Sequence, residues 1–210
     1  MENKYFIIFI IALSALGGAL WLLTQKQSTV PATNTLPTQQ TTMQETNTQQ
    51  TIATLSTTLG DIQIRLYTET MPVTTENFSQ LIASGFYDNT AFHRIIPGFM
   101  IQGGDPLTKD AGMKARWGTG GPGYAIADEF NASNSNVRGT IAMANSGPNT
   151  GGSQFFINVA DNTFLAPKHP VFGEVISGME VVDAIVALPR NERDVPDELP
   201  VITKATVQQQ

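Results

Sequence analysis

The chain has 210 residues and a formal net charge of −6 at pH 7, with no cysteine and two histidines. An acidic chain without a cluster of lysine and arginine lacks the electrostatic footprint of a nucleic-acid-binding protein, so we predict no nucleic-acid partner. The absence of cysteine excludes disulfides, thiolate metal sites and a cysteine nucleophile, and two histidines argue against a histidine-rich metal site.

The first predicted element is a membrane-insertion segment. From Tyr5 to Leu23, nineteen residues pass without a charged side chain, and a helix of that length nearly spans the hydrocarbon layer. This apolar run is longer than that of a cleaved signal peptide. We therefore predict a signal anchor, a single transmembrane helix, over residues 1–24, with cleavage near residues 15–19 as the alternative.

A disordered linker is predicted over residues 25–51. Threonine and glutamine dominate this segment, and so few large apolar side chains cannot offset the entropy lost on ordering. Such a linker would hold the following domain, predicted over residues 52–208, clear of the lipid headgroups.

The domain begins with a predicted β-hairpin and a helix. Residues 52–57 and 61–67 alternate between apolar and polar in the manner of strands around Gly60. The helix starts near Pro72, which suits a first turn, and stops at Gly85. Its predicted apolar face consists of Val73, Phe78, Leu81 and Ile82.

The stretch 92–105 carries two polar residues within apolar, β-prone pieces that a Pro-Gly turn separates. Arg94 and Gln102 would each cost several kcal/mol there unless the side chain reached a partner or an open surface. Two interpretations stay open from this stretch alone, a structural arginine paired with a carboxylate and a functional site.

The glycine-rich segment 112–123 formally matches G-x-G-x-x-G. A dinucleotide site needs a strand before this motif and an amphipathic helix after it, and neither is predicted here. We therefore interpret the segment as a surface loop.

The remaining elements complete a β-rich domain. In a predicted strand over residues 154–158, Gln154 beside a Phe-Phe run repeats the polar-in-apolar pattern of Gln102. About eight strands with two helices between them are typical of a barrel, so we predict a mainly β fold, an eight-stranded antiparallel closed barrel capped by two α-helices. The other predicted elements are strands over 140–144, 170–175 and 200–207 and a helix over 179–188.

Three motifs in this order resemble the cyclophilin family of peptidyl-prolyl cis-trans isomerases: FHRIIPGFMIQGGDP, MANSGPNTGGSQFFI and FLAPKHPVFGEV. The resemblance covers about residues 52–207 and does not extend to the anchor or linker. It implies the same barrel with two capping helices and a substrate groove on the outer face of the barrel.

The resemblance also implies roles for individual residues. Arg94 corresponds to the catalytic arginine of the family, Gln102 to a position along the substrate backbone and His169 to the histidine at the rim of the proline pocket. Phe164 stands where many members carry tryptophan, and the missing indole donor implies weak cyclosporin binding. The predicted substrate-binding residues are Phe99, Met100, Ala144, Asn145, Gln154, Phe156, Phe164 and Leu165.

These residue types suit the isomerase reaction. Rotation about an X–Pro bond is slow because amide resonance must be broken, with a barrier of about 20 kcal/mol. No bond is made or cleaved, so we expect no nucleophile, metal or cofactor. The prolyl nitrogen gains a lone pair when resonance is lost, and the Arg94 guanidinium can donate to it only in the transition state.

We therefore predict a peptidyl-prolyl cis-trans isomerase of bacterial type that acts on proline-containing polypeptides during the folding of exported proteins. Its predicted location is the bacterial cytoplasmic membrane, single-pass, with the catalytic domain outside the cytoplasm, or secreted if the first segment is cleaved. The alternative is a binding or chaperone module that holds proline-containing segments in the same groove with little turnover.

Overall fold

A single antiparallel sheet of nine strands curls around the core, in the order β3-β9-β1-β2-β8-β6-β7-β5-β4. The computed structural model describes residues 49–131 and 134–210. The strands are β1 (Thr51–Thr57), β2 (Gly60–Leu66), β3 (Thr90–Ala91), β4 (Arg94–Ile96), β5 (Met100–Gly103), β6 (Thr140–Met143), β7 (Phe155–Asn158), β8 (Val171–Ser177) and β9 (Val201–Gln209). The helices are α1 (Pro72–Ala83) and α2 (Met179–Val186), and short 3-10 helices span Pro106–Lys109, Ala111–Arg116 and Thr163–Leu165.

The predicted closed barrel of eight strands is wrong in its strand count and its closure. The chain changes ladder partners within residues 90–96: the Phe92 amide donates to the Pro200 carbonyl at 2.9 Å, whereas the His93 amide donates to the Gln102 carbonyl at 3.1 Å. The two strands predicted in the stretch 92–105 are β4 and β5, whereas β3 lies just before this stretch and was not predicted. The strands β3 and β4 form the two ends of a nine-stranded half-barrel. A strand of two residues is too short to show the alternation by which a strand is predicted from sequence.

The predicted hairpin and both predicted helices are present. Thr57 pairs with Gly60 across the hairpin turn, and α1 is followed by Gly85 at φ +69°, a conformation that glycine adopts without steric cost. Val73 is 49% exposed, so its predicted place on the buried face is wrong, because Thr74 takes the buried position in the first turn. The other three predicted residues of that face are buried: Phe78, Leu81 and Ile82.

Two hydrophobic clusters lie on opposite faces of the sheet. Side chains alternate between the faces along a strand, so Ile101 and Phe155 point into the half-barrel while Met100 and Phe156 point out. The larger, inner cluster joins the sheet to both helices. The smaller, outer cluster has a buried floor of Met100, Ala142, Phe156 and Val171.

The predicted membrane anchor over residues 1–24 and nearly all of the predicted linker lie outside the described residues. Among the helices of the described ranges, none is both long enough and apolar enough to cross a membrane. Gln50 and Gln210 exchange two backbone hydrogen bonds of 2.8 Å. The first strand therefore begins at Thr51, the last residue of the predicted linker. This residue is ordered because it pairs with Gln209 of the carboxyl-terminal strand.

Candidate functional site

A row of side chains crosses the outer face of the half-barrel on four neighbouring strands. Arg94 on β4 pairs in register with Gln102 on β5. Gln102 pairs in turn with Phe156 on β7, and Phe156 with Ala142 on β6. Residues in register point to the same face of a sheet. The two polar residues that were anomalous in the sequence therefore border an apolar patch on an open surface.

The apolar patch has a buried floor and partly exposed walls. Phe99, Ala144 and Leu165 are half-buried and pack against the floor residues of the outer cluster. The rings of Phe99 and Phe164 stack nearly parallel, with their centroids 6.1 Å apart, and Phe164 remains 67% exposed. A shallow apolar depression of this kind, bordered by a few polar groups, suits a small apolar ring.

His169 lies at one border of this patch. Its ring meets the Phe156 ring edge-on at a centroid distance of 5.4 Å. Its Nδ1 lies 3.0 Å from the Met143 carbonyl oxygen, and because a carbonyl only accepts, Nδ1 carries the hydrogen of this bond. The Asn145 side chain is tied to the same border, since its amide donates to the Lys168 carbonyl at 2.8 Å.

A chain of hydrogen bonds holds Gln102 from the other side. Its Nε2 donates to Oε1 of Gln154 at 2.9 Å, and Nε2 of Gln154 donates to the Gly120 carbonyl at 2.8 Å. The Gly120 amide donates to the fully buried carboxylate of Asp105 at 3.2 Å. Two further backbone amides, of Leu107 and Gly118, donate to this carboxylate. Asp105 thereby fastens residues 106–120, which we call the Asp105 loop, beside β5.

Sequence reasoning missed this role of Asp105 and Gly120. The glycine-rich segment 112–123 was interpreted only as a surface loop, yet a Cβ on Gly120 would lie 2.0 Å from Oδ1 of Asp105. No side chain fits there. The signal in the sequence was an aspartate two residues after an apolar strand and ahead of a glycine-rich segment, which supplies many close backbone donors.

Arg94 is only loosely paired. Its side chain is 44% exposed, and its Nε lies 3.8 Å from Oδ2 of Asp194. The same carboxylate also lies 3.4 Å from Nε of Arg190. An exposed pair at such a distance contributes about 0–1 kcal/mol. This weakens the interpretation of Arg94 as a structural arginine, because the guanidinium is not consumed by its carboxylate partner.

His93, to which the sequence assigned no role, is buried beside Arg94. Among the described residues, neither of its ring nitrogens makes a hydrogen bond of good geometry. Burial lowers the pKa of His93, and the Arg94 charge acts in the same direction, against the opposing effects of the Asp105 carboxylate and the Ala91 backbone. The contacts described above connect all of the predicted site residues into one groove on the outer face.

The fold agrees with comparisons with known proteins. A sequence model described as "Cyclophilin type peptidyl-prolyl cis-trans isomerase/CLD" matches residues 52–207. Peptidyl-prolyl cis-trans isomerase B of Streptomyces anulatus is 46% identical over 76% of this chain and 98% of its own length. Peptidyl-prolyl cis-trans isomerase-like 3 of Dictyostelium discoideum is 41% identical over 73% and 93%.

A solved structure of a Cryptosporidium parvum cyclophilin type peptidyl-prolyl cis-trans isomerase is also similar. It has a TM-score of 0.70 and 32% identity, and the match covers 77% of this chain and 99% of that one. The half-barrel is thus the fold of a prolyl isomerase. The chain belongs to the cyclophilin-type peptidyl-prolyl cis-trans isomerase family.

Proposed function

We propose that Arg94 accelerates rotation about X–Pro bonds by donating a hydrogen bond to the prolyl nitrogen of a substrate held in the outer groove. The observation that carries this proposal is the row from Arg94 through Gln102 to Phe156, which sets a loosely paired guanidinium beside an apolar patch. A second solved structure of the Cryptosporidium parvum protein was determined in the presence of the dipeptide Ala-Pro, which supports a proline-containing ligand.

The chemistry follows from the electronic change at the amide. A planar prolyl nitrogen has its lone pair in the amide resonance and is a poor acceptor, whereas the twisted amide releases that lone pair. A donor that meets the nitrogen only in the twisted state lowers the barrier without tightening substrate binding equally. The guanidinium of Arg94 presents a rigid fork of donors for this purpose.

The other predicted residues bind different parts of the substrate in this proposal. The apolar patch takes the pyrrolidine ring, and His169 borders it. Gln102, Gln154 and Asn145 supply amide groups to the flanking backbone, so that one side of the bond stays fixed while the other rotates. Phe164 takes the place of an indole donor, and we propose that cyclosporin binds weakly for that reason. The members of the patch are Phe99, Met100, Ala144, Phe156 and Leu165.

The experiment compares Arg94→Ala with Arg190→Ala in a protease-coupled assay on a proline peptide, using the full-length chain. Both arginines approach the same Asp194 carboxylate, so Arg190→Ala is the matched control for the ion pair. Loss of a preorganised transition-state donor lowers kcat by about 100- to 1000-fold, which we expect for Arg94→Ala only.

Two results would overturn this assignment. Equal activity of Arg94→Ala and wild type would remove the proposed role of Arg94. Proline-peptide binding by the wild-type chain in an NMR titration, without turnover, would favour the alternative function of a module that holds proline-containing segments.

We also propose that the domain acts on exported proteins outside the cytoplasm of a bacterium, anchored in the cytoplasmic membrane through residues 1–24. The uncharged run within these residues and the polar segment 25–51 support this proposal. The full-length protein should sediment with membranes and be removed from spheroplasts by added protease. A product that stays soluble in the cytoplasm would contradict the anchor.

A further inference from the structure

Two cavities flank Gln102 and Gly118, and both include these two residues in their linings. The first, which we call the basic cavity, has a volume of about 760 Å³ and extends from Arg94 and His93 between the Asp105 loop and residues 191–195. The second, which we call the neutral cavity, has a volume of about 220 Å³ and no charged residue in its lining. The proposed substrate groove therefore meets two different electrostatic environments.

The basic cavity carries positive charge that the protein does not match. Its lining contains three basic residues, Arg94, Lys114 and Arg193, and one acidic residue, Glu192, in a chain of net charge −6. Arg94 has its loose partner Asp194, but in the described part of the chain neither Lys114 nor Arg193 forms an ion pair. The unmatched charge is complementary to an acidic group on a ligand.

The Asp105 loop forms one wall of the basic cavity, and its own contacts hold it in place. The indole nitrogen of Trp117 donates to the Leu107 carbonyl at 3.0 Å. The ammonium of Lys114 lies 5.8 Å from the centroid of the Trp117 ring, within the range of a cation–π contact. The carboxylate of Asp105 fixes the end of the loop through the amides of Gly118 and Gly120.

The opposite wall is a turn that is hydrogen-bonded within itself. Oδ1 of Asn191 accepts from the backbone amides of Arg193 at 2.9 Å and Val195 at 3.3 Å. The turn is joined to β4 beside Arg94, because the Ile95 amide donates to the Asp194 carbonyl at 2.9 Å. Walls that are already fixed reduce the conformational entropy that the protein loses when a ligand binds.

We propose that the basic cavity binds an acidic side chain of the polypeptide substrate and makes this chain selective for prolines with aspartate or glutamate nearby in sequence. This inference rests on the proposed function, because the cavity shares Arg94 and Gln102 with the groove. Because the cavity adjoins the groove at these two residues and an extended chain advances only about 3.3–3.6 Å per residue, we place the acidic residue within about three positions of the proline. Lys114 and Arg193 are the specificity-determining residues.

The test uses pairs of proline peptides that differ by glutamate or glutamine at one position, from three residues before the proline to three residues after it. At one or two positions we expect kcat/KM of the full-length chain to be about five- to tenfold higher for glutamate at low salt, the range of two partly exposed ion pairs. The ratio should shrink in about 0.5 M salt, because exposed charges are screened.

Three variants assign the preference to the cavity. In the double variant Lys114→Gln, Arg193→Gln, the ratio of glutamate to glutamine peptides should fall to about one, because the unmatched charge is gone. Arg193→Glu should shift the preference toward a lysine peptide at the same position. Lys109→Gln, a matched control on the same loop but outside the cavity lining, should keep the wild-type ratio.

The possible failures are distinguishable. Turnover with a ratio of one at every position overturns the subsite and leaves the proposed isomerase intact. A glutamate preference that survives in the double variant also overturns it, because the preference then arises elsewhere. If no peptide is turned over, the proposed function fails, and NMR titration with the same peptide pairs decides the subsite by their relative affinities.

Discussion

Phe155 and Phe156 are neighbours in the chain, yet they belong to opposite faces of β7 and to different environments. Phe155 is fully buried, and its ring meets those of Phe78, Tyr87 and Phe92 at centroid distances of 5.5, 5.7 and 6.1 Å. Phe156 is 5% exposed and belongs to a small cluster with partly exposed walls. The inner face stabilises the half-barrel, whereas the outer face leaves exposed the apolar surface that we propose as the binding site of the substrate ring. The period of two along a strand is enough to separate these tasks.

The largest expected effect tests whether the two faces of β7 have separate roles. Phe155→Ala should lower the free energy of unfolding by about 3–5 kcal/mol, the usual loss when a large aromatic side chain is removed from a core. Phe156→Ala should cost less stability, because its cluster is small and open, but should lower kcat/KM much more. Urea unfolding and the proline-peptide assay measure the two quantities separately.

The milder substitutions Phe155→Leu and Phe156→Leu provide the same test if an alanine variant fails to fold. Phe155→Leu should destabilise the chain while leaving kcat/KM of the folded fraction unchanged. Similar losses of kcat/KM in both leucine variants would show that the two faces are not functionally separate.

The next effect concerns the Asp105 loop, which holds Gln154 and Gln102 on the outer face through Gly120. Asp105→Asn removes a buried charge that accepts three backbone hydrogen bonds, so we expect a loss of about 2 kcal/mol. Hydrogen exchange at the Gly118 and Gly120 amides should accelerate, and kcat/KM should fall because Gly120 holds Gln154. Asp110→Asn is the matched control, since this exposed carboxylate in the same loop caps only the Gly112 amide. Unchanged exchange in Asp105→Asn would refute the fastening role.

A smaller effect is the pH dependence that His93 adds to stability. Burial lowers the pKa of His93 in the folded chain below its unfolded value of about 6.5. The unfolded chain then binds the proton more readily, so the contribution is complete above pH about 6.5 and is lost as pH falls below it. The free energy of unfolding between pH 7 and 5 should fall less steeply in His93→Gln than in wild type. Parallel curves would contradict this assignment.

The smallest expected effect lies at the exposed edge of the outer face. Phe164→Trp restores an indole donor to the groove, and one net hydrogen bond is worth about 1 kcal/mol, so cyclosporin affinity should rise several-fold. Calorimetric titration measures this change. Phe130→Trp, at an exposed phenylalanine outside both cavity linings, should leave the affinity as it is, and an equal gain there would argue against a specific indole contact.

Local patterns predicted much of the fold. The hairpin at Gly60 and the helices α1 and α2 follow from alternation, capping and a 3.6-residue period, which depend on near neighbours in the chain. The same patterns placed Val73 on the wrong side of α1 and did not predict β3. Both errors concern a choice among partners, and partners are distant in sequence.

The sequence by itself determined the family, the class of reaction and the two polar residues within the apolar stretch 92–105, because motifs and misplaced polar side chains are visible in one dimension. Only the tertiary structure decided which residues hydrogen-bond to Arg94 and Gln102 or lie beside them. Gly120 is fastened by Asp105, and the basic cavity brings Lys114 and Arg193 to Arg94. Such neighbours are set by sheet register and loop closure, which bring residues together across long separations in the chain.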